Sequence, residues 1–188
     1  SYYLQLCNIA LDPNTHFPGI GKADIATNKF IGTYDGNNYK ITGFYQNIYV
    51  ASDYNAGLFG CVVSPGILKN IWLYGNIDIP SSYNPYRIGL LCAYNWNTTN
   101  NCHAFGSIKC RGYSIGGLSG ELLSVSGCSA EVDIEGLSGS SYIGGLAGSI
   151  STTNTFTNNY SKCNIRGYGA YIGGLTGRKE NSNFKIEN

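Results

Sequence analysis

Three carboxylates, Glu131, Asp133 and Glu135, occupy alternate positions of the segment EVDIEG. In a strand, alternation sets all three on one face. Carboxylates converging in this way could serve as the acid and base of a glycosidase or as oxygen ligands for Ca²⁺. Lys109, Arg111, Lys162 and Arg166 fall in the corresponding segments SIKCRG and KCNIRG, so structural ion pairing is the expected role. His103, in NNCHAFG, has the chemistry of a general base, but no GxSxG-type nucleophile pattern accompanies it. A solvent-facing strand histidine is expected there. The seven cysteines (7, 61, 92, 102, 110, 128 and 163) form no CxxC pair and are accompanied by only two histidines, which argues against zinc. They read as small, half-apolar interior residues, with a Cys102–Cys128 disulfide left open. The glycines of GIG at 19–21 precede no helix and lack the field that makes such a loop bind phosphate. Asp35-Gly36 predicts a turn in which Asp supplies a local hydrogen bond and Gly a positive φ. NTT (97–99) and NYS (159–161) are glycosylation sequons, relevant only in a eukaryotic secretory route. No catalytic residue, metal or cofactor is expected.

The elements that would carry these residues repeat. IGGLSG (115–120), IGGLAG (143–148) and IGGLTG (172–177) follow two weaker copies, AGLFG (56–60) and IGLLC (88–92). Near-identical motifs at near-even intervals mark one position on successive turns of a repeating architecture. Between the copies lie alternating segments, NIDIP (76–80), SIKCRG, EVDIEG and KCNIRG, in a chain whose frequent Gly interrupts any helical pattern. Stacked, they give two inward ladders, Ile77–Ile108–Val132–Cys163 and Ile79–Cys110–Ile134–Ile165. The outward rows read Asp78–Lys109–Asp133–Asn164, Asn76–Ser107–Glu131–Lys162 and Pro80–Arg111–Glu135–Arg166. A further inward ladder runs Leu58–Leu90–Leu118–Leu146–Leu175. Parallel strands need crossovers. With no helix to supply them, each repeat must wind round to the same edge, which predicts a parallel β-helix of about five to six coils.

Three places before each Gly-Leu stand Tyr54, Tyr86, Ser114, Tyr142 and Tyr171. This row reads either as aromatic ladder stacking or as a platform for sugar rings, with Trp96 beside it. Tyr54, Tyr86, Tyr142, Tyr171 and Trp96 are therefore the candidate ligand-binding residues.

The chain has 188 residues, a net charge of +1 and only 12% charged residues, with Gly 26 and Tyr 16. No basic patch points to nucleic acid, and no apolar run approaches the ~20 residues of a membrane span. The whole reads as one β-solenoid domain over 1–188. Its parts are a leading strand and cap region (1–29), first coils (30–79), an irregular coil (80–100), regular repeats (101–177) and a C-terminal tail (178–188).

NCHAFGSIKCRGYSIGGLSG (101–120), GCSAEVDIEGLSGSSYIGGLAG (127–148) and NNYSKCNIRGYGAYIGGLTG (158–177) resemble the GLUG-type repeats of bacterial surface and secreted proteins. YYLQLCNIAL, FPGIG, FIGTYDGNNYKITGF (30–44) and ILKNIWLYGNI (67–77) are similar to the segment that leads such arrays; Cys92, in place of a final Gly, departs from the pattern. The resemblance implies a right-handed parallel β-helix on a cell-surface, adhesin-like or secreted protein, and no activity for the repeat. The expected function is accordingly a non-enzymatic extracellular or cell-surface module for adhesion or structural spacing, a fragment or mature part of a larger protein. Its partner would be a glycan or a protein surface. The alternatives are a filament or surface-layer subunit that self-associates through the solenoid ends, and a carbohydrate-active β-helix enzyme.

Overall fold

The computed structural model describes residues 1–21, 28–47, 55–151 and 155–180. Their regular elements are all strands, and every ladder between them is parallel. The chain winds into a parallel β-solenoid of about five turns. The long strand Cys92–Cys110 shows the path of one turn. It bends at Asn101, and its two arms pair with Ile67–Asp78 on one side and with Ser119–Ser126 and Ser129–Gly136 on the other. A loop then leads into a second sheet of short strands, ordered Tyr171–Gly173, Tyr142–Gly144, Ser114–Gly116, Arg87–Ile88 and Asn55–Ala56. From there the chain turns back into the large sheet. The stretch 80–100, expected to be irregular, holds strand at Arg87–Ile88 and from Cys92 onward.

The IGGLxG motif occupies the bend between the two sheets. Here the strand entering the bend and the strand leaving it pass at backbone contact. A Cβ on Gly120 would lie 2.6 Å from the Ile88 amide nitrogen, one on Gly148 2.5 Å from that of Ile115, and one on Gly177 2.6 Å from that of Ile143. The first motif glycine is equally confined: a Cβ on Gly144 would run into the carbonyl oxygen of Ala147. Backbone atoms cannot swing aside as a flexible side chain can, so the first and last glycines of the motif are glycine because nothing larger fits. Leu118 and Leu146, between the glycines, turn into the core and are fully buried.

Strand parity comes out as expected. Ile77, Ile79, Ile108, Cys110, Val132 and Ile134 are all buried, and five of the seven cysteines are interior; Cys7 is exposed and Cys163 half-buried. Cys102 and Cys128 lie on adjacent coils as free thiols.

The register differs. Ile108 pairs with Ile134, not Val132, and the ladder reads Ile77–Ile108–Ile134–Ile165, while Val132 faces Gly106. A two-residue slip leaves every side chain on its face, so alternation alone does not detect it. The leucine ladder passes through Leu91 rather than Leu90, because Ile88 pairs with Ile115 and the Leu91 amide bonds the Leu118 carbonyl. Leu175, in the last of the described coils, is half-buried.

The corner of each turn is set by residues in the left-handed region: Asn70 (φ 55°), Asn101 (48°), Gly127 (63°) and Asn158 (55°). Asparagine tolerates this conformation, and its amide can bond the next coil. Asn101 Nδ2 donates to Oδ1 of Asn70 at 2.9 Å and of Asn38 at 3.2 Å.

Near the start of the chain, Asp35 ties the first strand to the coils above. It accepts from Tyr2 Oη (2.7 Å), Asn70 Nδ2 (3.0 Å) and the Asn37 amide (2.9 Å), with Lys69 Nζ at 3.1 Å. The Asn37 bond is the expected Asp turn. Gly36 does not supply the positive φ, which falls on Asn37 and Asn38; Gly36 is needed for close approach to Ile71, whose Cα would stand 2.9 Å from a Cβ. Burial acts to raise the Asp35 pKa, but the bonds from Asn70, Tyr2 and Asn37 outweigh it and hold the carboxyl well below the usual carboxylate range.

Two outcomes follow from this geometry. Gly144→Ala destabilises by about 1–3 kcal/mol or more in denaturant unfolding, whereas Gly174→Ala, whose Cβ would meet nothing within 4 Å, stays within about 0.5 kcal/mol. Because the folded-state pKa of Asp35 is depressed, its contribution is complete above the ordinary carboxylate pKa and is lost as pH falls through the folded value. The melting-temperature gap between wild type and Asp35→Asn should therefore be widest near neutral pH and narrow on acidification.

Candidate functional site

The outer edge of the second sheet carries a continuous aromatic row. Tyr86, Tyr113, Tyr142 and Tyr171 follow one another with ring centroids 4.5, 5.1 and 5.3 Å apart. Three of the four are residues expected in this row; Tyr113 replaces Ser114. Ser114 instead turns inward and donates to the Gly120 carbonyl at 2.7 Å. Pairing explains the exchange, since Arg87, Ser114 and Tyr142 share one strand position and Ile88, Ile115 and Ile143 the next. The tyrosine stands two places before the isoleucine in the earlier rungs and one place before it in the later ones. Where the row changes position, between Tyr113 and Tyr142, the rings meet edge to face at 86°; the other two contacts are near-parallel, at 10° and 21°. Tyr54 lies outside the described residues.

Two arginines build on the row. Arg87 lies over the rings of Tyr86 (4.6 Å) and Tyr94 (4.1 Å), and Tyr94 packs at 5.4 Å against Trp96, which is 51% exposed. Arg87 is fixed by Glu121, to which its Nε donates at 2.5 Å, and Ser151 Oγ donates to the other Glu121 oxygen at 3.0 Å. Arg178 lies over Tyr142 at 4.9 Å, reaches the Tyr113 hydroxyl at 3.3 Å and pairs with Glu180 at 3.3 Å. Burial, then the nearby Glu121 charge, pushes the Tyr94 phenol up. The Tyr94 phenol therefore acts as a neutral hydrogen-bonding group. Within the row the rings cover one another's faces, so solvent meets ring edges and hydroxyls. Trp96 and Tyr171, 51% and 60% exposed, are the open aromatic surfaces. The wall can pack against apolar faces of a ligand and bond its hydroxyls, with each arginine charge matched by a carboxylate.

The carboxylates of EVDIEG line a different side. Glu135 pairs with Lys109 (3.2 Å) and Glu131 with Lys162 (3.8 Å), while Asp133 accepts from Asn164 Nδ2 at 2.8 Å. The rows run Asp78–Lys109–Glu135–Arg166 and Asn76–Ser107–Asp133–Asn164, which corrects the expected Lys109–Asp133 neighbourhood by the same two-residue slip. A shallow groove of about 370 Å³ runs across these rows, with charges that alternate in sign from rung to rung. Among the described residues no group of three His, Cys, Asp or Glu side chains is placed to hold a metal ion.

His103 stands on the outward face of its strand as expected, but it is only partly open to solvent. It is half-buried against Trp72 (4.4 Å), and burial lowers its pKa. Its Nε2 faces Asn101 Oδ1 at 3.2 Å, which leaves Nδ1 to accept from Ser129 Oγ at 2.8 Å. The arrangement is that of a base beside a hydroxyl, but Ser129 is completely buried and cannot meet a substrate where it stands. Tyr74 and Phe105 stack beside Trp72, a second aromatic cluster that residue types alone did not single out.

Over 92 residues, 48% of the chain, the sequence is 35% identical to a protein of Evansella cellulosilytica named "Putative Gly-rich membrane protein". The matched stretch is about a tenth of that protein's length (10%). No family model matches the chain, and no solved structure does. Among the described residues no helix is long and apolar enough to cross a membrane.

The Arg87–Glu121 pair is largely enclosed, with side-chain exposures of 22% and 10%, so Glu121→Ala should cost about 1.5–3 kcal/mol in urea unfolding. Asp133→Ala, on the open face, should cost less than about 1 kcal/mol in the same assay.

Proposed function

We propose that this chain is a non-enzymatic recognition module, displayed outside the cell or on its surface, that binds an extended neutral glycan along the tyrosine–arginine wall. The observation that carries the reading is the unbroken row Tyr86–Tyr113–Tyr142–Tyr171 with Arg87 and Arg178 laid over it. A linear polysaccharide offers a chain of ring faces and hydroxyls, and the solenoid offers phenols at about one per coil. A rigid row fixed by its neighbours loses little conformational entropy on binding. Aromatic side chains also carry interface energy out of proportion to their number. Both arginines are matched by carboxylates, so the wall suits a neutral rather than a strongly anionic polymer.

The surface location is supported by the likeness to GLUG-type repeats and by the name of the Evansella relative, "Putative Gly-rich membrane protein". Binding without turnover is supported by the complete burial of Ser129 beside His103 and by the paired state of Glu131 and Glu135.

Retention on immobilised neutral and anionic polysaccharides, measured by affinity electrophoresis, tests the reading. The double variant Tyr142→Ala/Tyr171→Ala should weaken retention by about tenfold or more on the neutral polymer with an intact solenoid by circular dichroism. Unchanged retention in that variant, or release of shortened glycan by the wild-type chain, would contradict the proposal.

A further inference from the structure

The tyrosine wall has a repeat length and an alternation, and both bear on the linkage of the polymer it fits. The repeat is set by the second sheet. Ile88, Ile115, Ile143 and Ile172 pair strand to strand, and hydrogen-bonded strands stand about 4.8 Å apart. The rings carried beside them, Tyr86, Tyr113, Tyr142 and Tyr171, follow at 4.5, 5.1 and 5.3 Å. Each of these coils therefore adds one phenol and one strand spacing.

The alternation comes from the arginines. A guanidinium lies over the first ring, Arg87 on Tyr86, and over the third, Arg178 on Tyr142. Among the described residues none lies over Tyr113 or Tyr171. Within the described residues Arg87 donates to Glu121 through Nε alone, and Arg178 reaches Tyr113 and Glu180 through Nη1 alone. Both Nη atoms of Arg87, and Nε and Nη2 of Arg178, are left to bond a ligand. The wall thus places N–H donors at every second coil.

We infer that the wall takes an unbranched chain of neutral pyranose sugars, joined through opposite equatorial positions of each ring and laid along the solenoid axis with one sugar per coil. This rests on the wall as the glycan site. A pyranose linked equatorially at both corners keeps its chain straight, and each sugar advances it by about one strand spacing. Each sugar is also turned over relative to the one before, so every second sugar presents the same edge. The guanidiniums over Tyr86 and Tyr142 then meet equivalent hydroxyls two sugars apart. An axial linkage bends the chain into a coil that advances less per sugar, and its rings fall out of step with the phenols after the first contacts. A rigid row cannot adjust to that mismatch, and each lost contact widens the difference in affinity between the two polymers.

Two soluble neutral polymers separate the linkages: hydroxyethylcellulose, whose links are equatorial, and amylose, whose links include an axial bond. In affinity electrophoresis the wild-type chain should be retained at least about tenfold more strongly by hydroxyethylcellulose. By titration calorimetry, affinity should rise about tenfold or more from cellobiose to cellotetraose. Arg178→Gln, with circular dichroism to confirm the fold, should weaken cellotetraose binding by about tenfold. Equal or stronger retention by amylose would overturn the linkage and leave the wall as a glycan site. Cellotetraose binding unchanged in Arg178→Gln would remove the alternation and overturn the inference in the same way. Retention by neither polymer, or retention by hydroxyethylcellulose that survives Tyr142→Ala/Tyr171→Ala, would overturn the wall itself and the inference with it.

Discussion

The fold depends on one steric constraint: at the bend of each regular coil, two strand segments pass so closely that backbone meets backbone. Gly120, Gly148 and Gly177 sit against the amides of Ile88, Ile115 and Ile143, and the leading glycines meet the carbonyls that leave the bend. That contact holds the second sheet against the first and lets Ile88, Ile115 and Ile143 turn into the core while Leu91, Leu118 and Leu146 enter it from the other side. The coils of Ile115, Ile143 and Ile172 each repeat the contact, and each repeats the motif. A single larger residue would have to displace two strands at once, which is why the sequence shows so little freedom there.

The constraint also decides where variation is absorbed. On the broad side the coils are offset by 31, 26 and 31 residues along Ile77–Ile108–Ile134–Ile165, whereas the second sheet is offset by 27, 28 and 29 along Ile88–Ile115–Ile143–Ile172. The loops joining them take up the difference and deliver the chain back to the same glycine contact. The tyrosine row stands where those loops end. Its members therefore reach the same edge from slightly different backbone positions, and the edge-to-face step at Tyr113–Tyr142 is the visible trace. A binding wall built there is aligned by the seam beneath it while tolerating change in the loops above.

Much of this was legible in the residues. Alternation placed the apolar side chains on the correct face, and the glycine motif marked the turn that builds the second sheet. The register between coils was not legible from alternation, because a slip of two preserves every face. The corner residues hold the missing information: Asn70, Asn101, Gly127 and Asn158 are spaced by 31, 26 and 31, the same offsets as the strands. A search for Asn or Gly at left-handed corners, instead of for the glycine ending each strand, would have fixed the pairing and placed Glu135 beside Lys109. Tyr113 was not legible for a related reason. Counting from Gly-Leu assumes a constant backbone position, whereas the stack is kept by rings that reach across one residue. The His103–Trp72 contact gave no signal, since two residues from segments 31 apart become neighbours only once the register is known.

Site-resolved hydrogen exchange by NMR is the most direct test of the central claim. The amides of Gly117 and Leu118 bond the carbonyls of Gly145 and Leu146 at 3.0 and 2.9 Å, and that of Leu146 bonds Leu175 at 2.9 Å. If the glycine seam holds the coils together, Gly117, Leu118 and Leu146 should exchange only through opening of the whole solenoid and rank among the slowest amides, alongside the core strand Ser129–Gly136. Exchange at Gly117 and Leu118 as fast as in the exposed turn at Ser138 and Gly139, while that strand stays protected, would show that the seam opens on its own and would contradict the account.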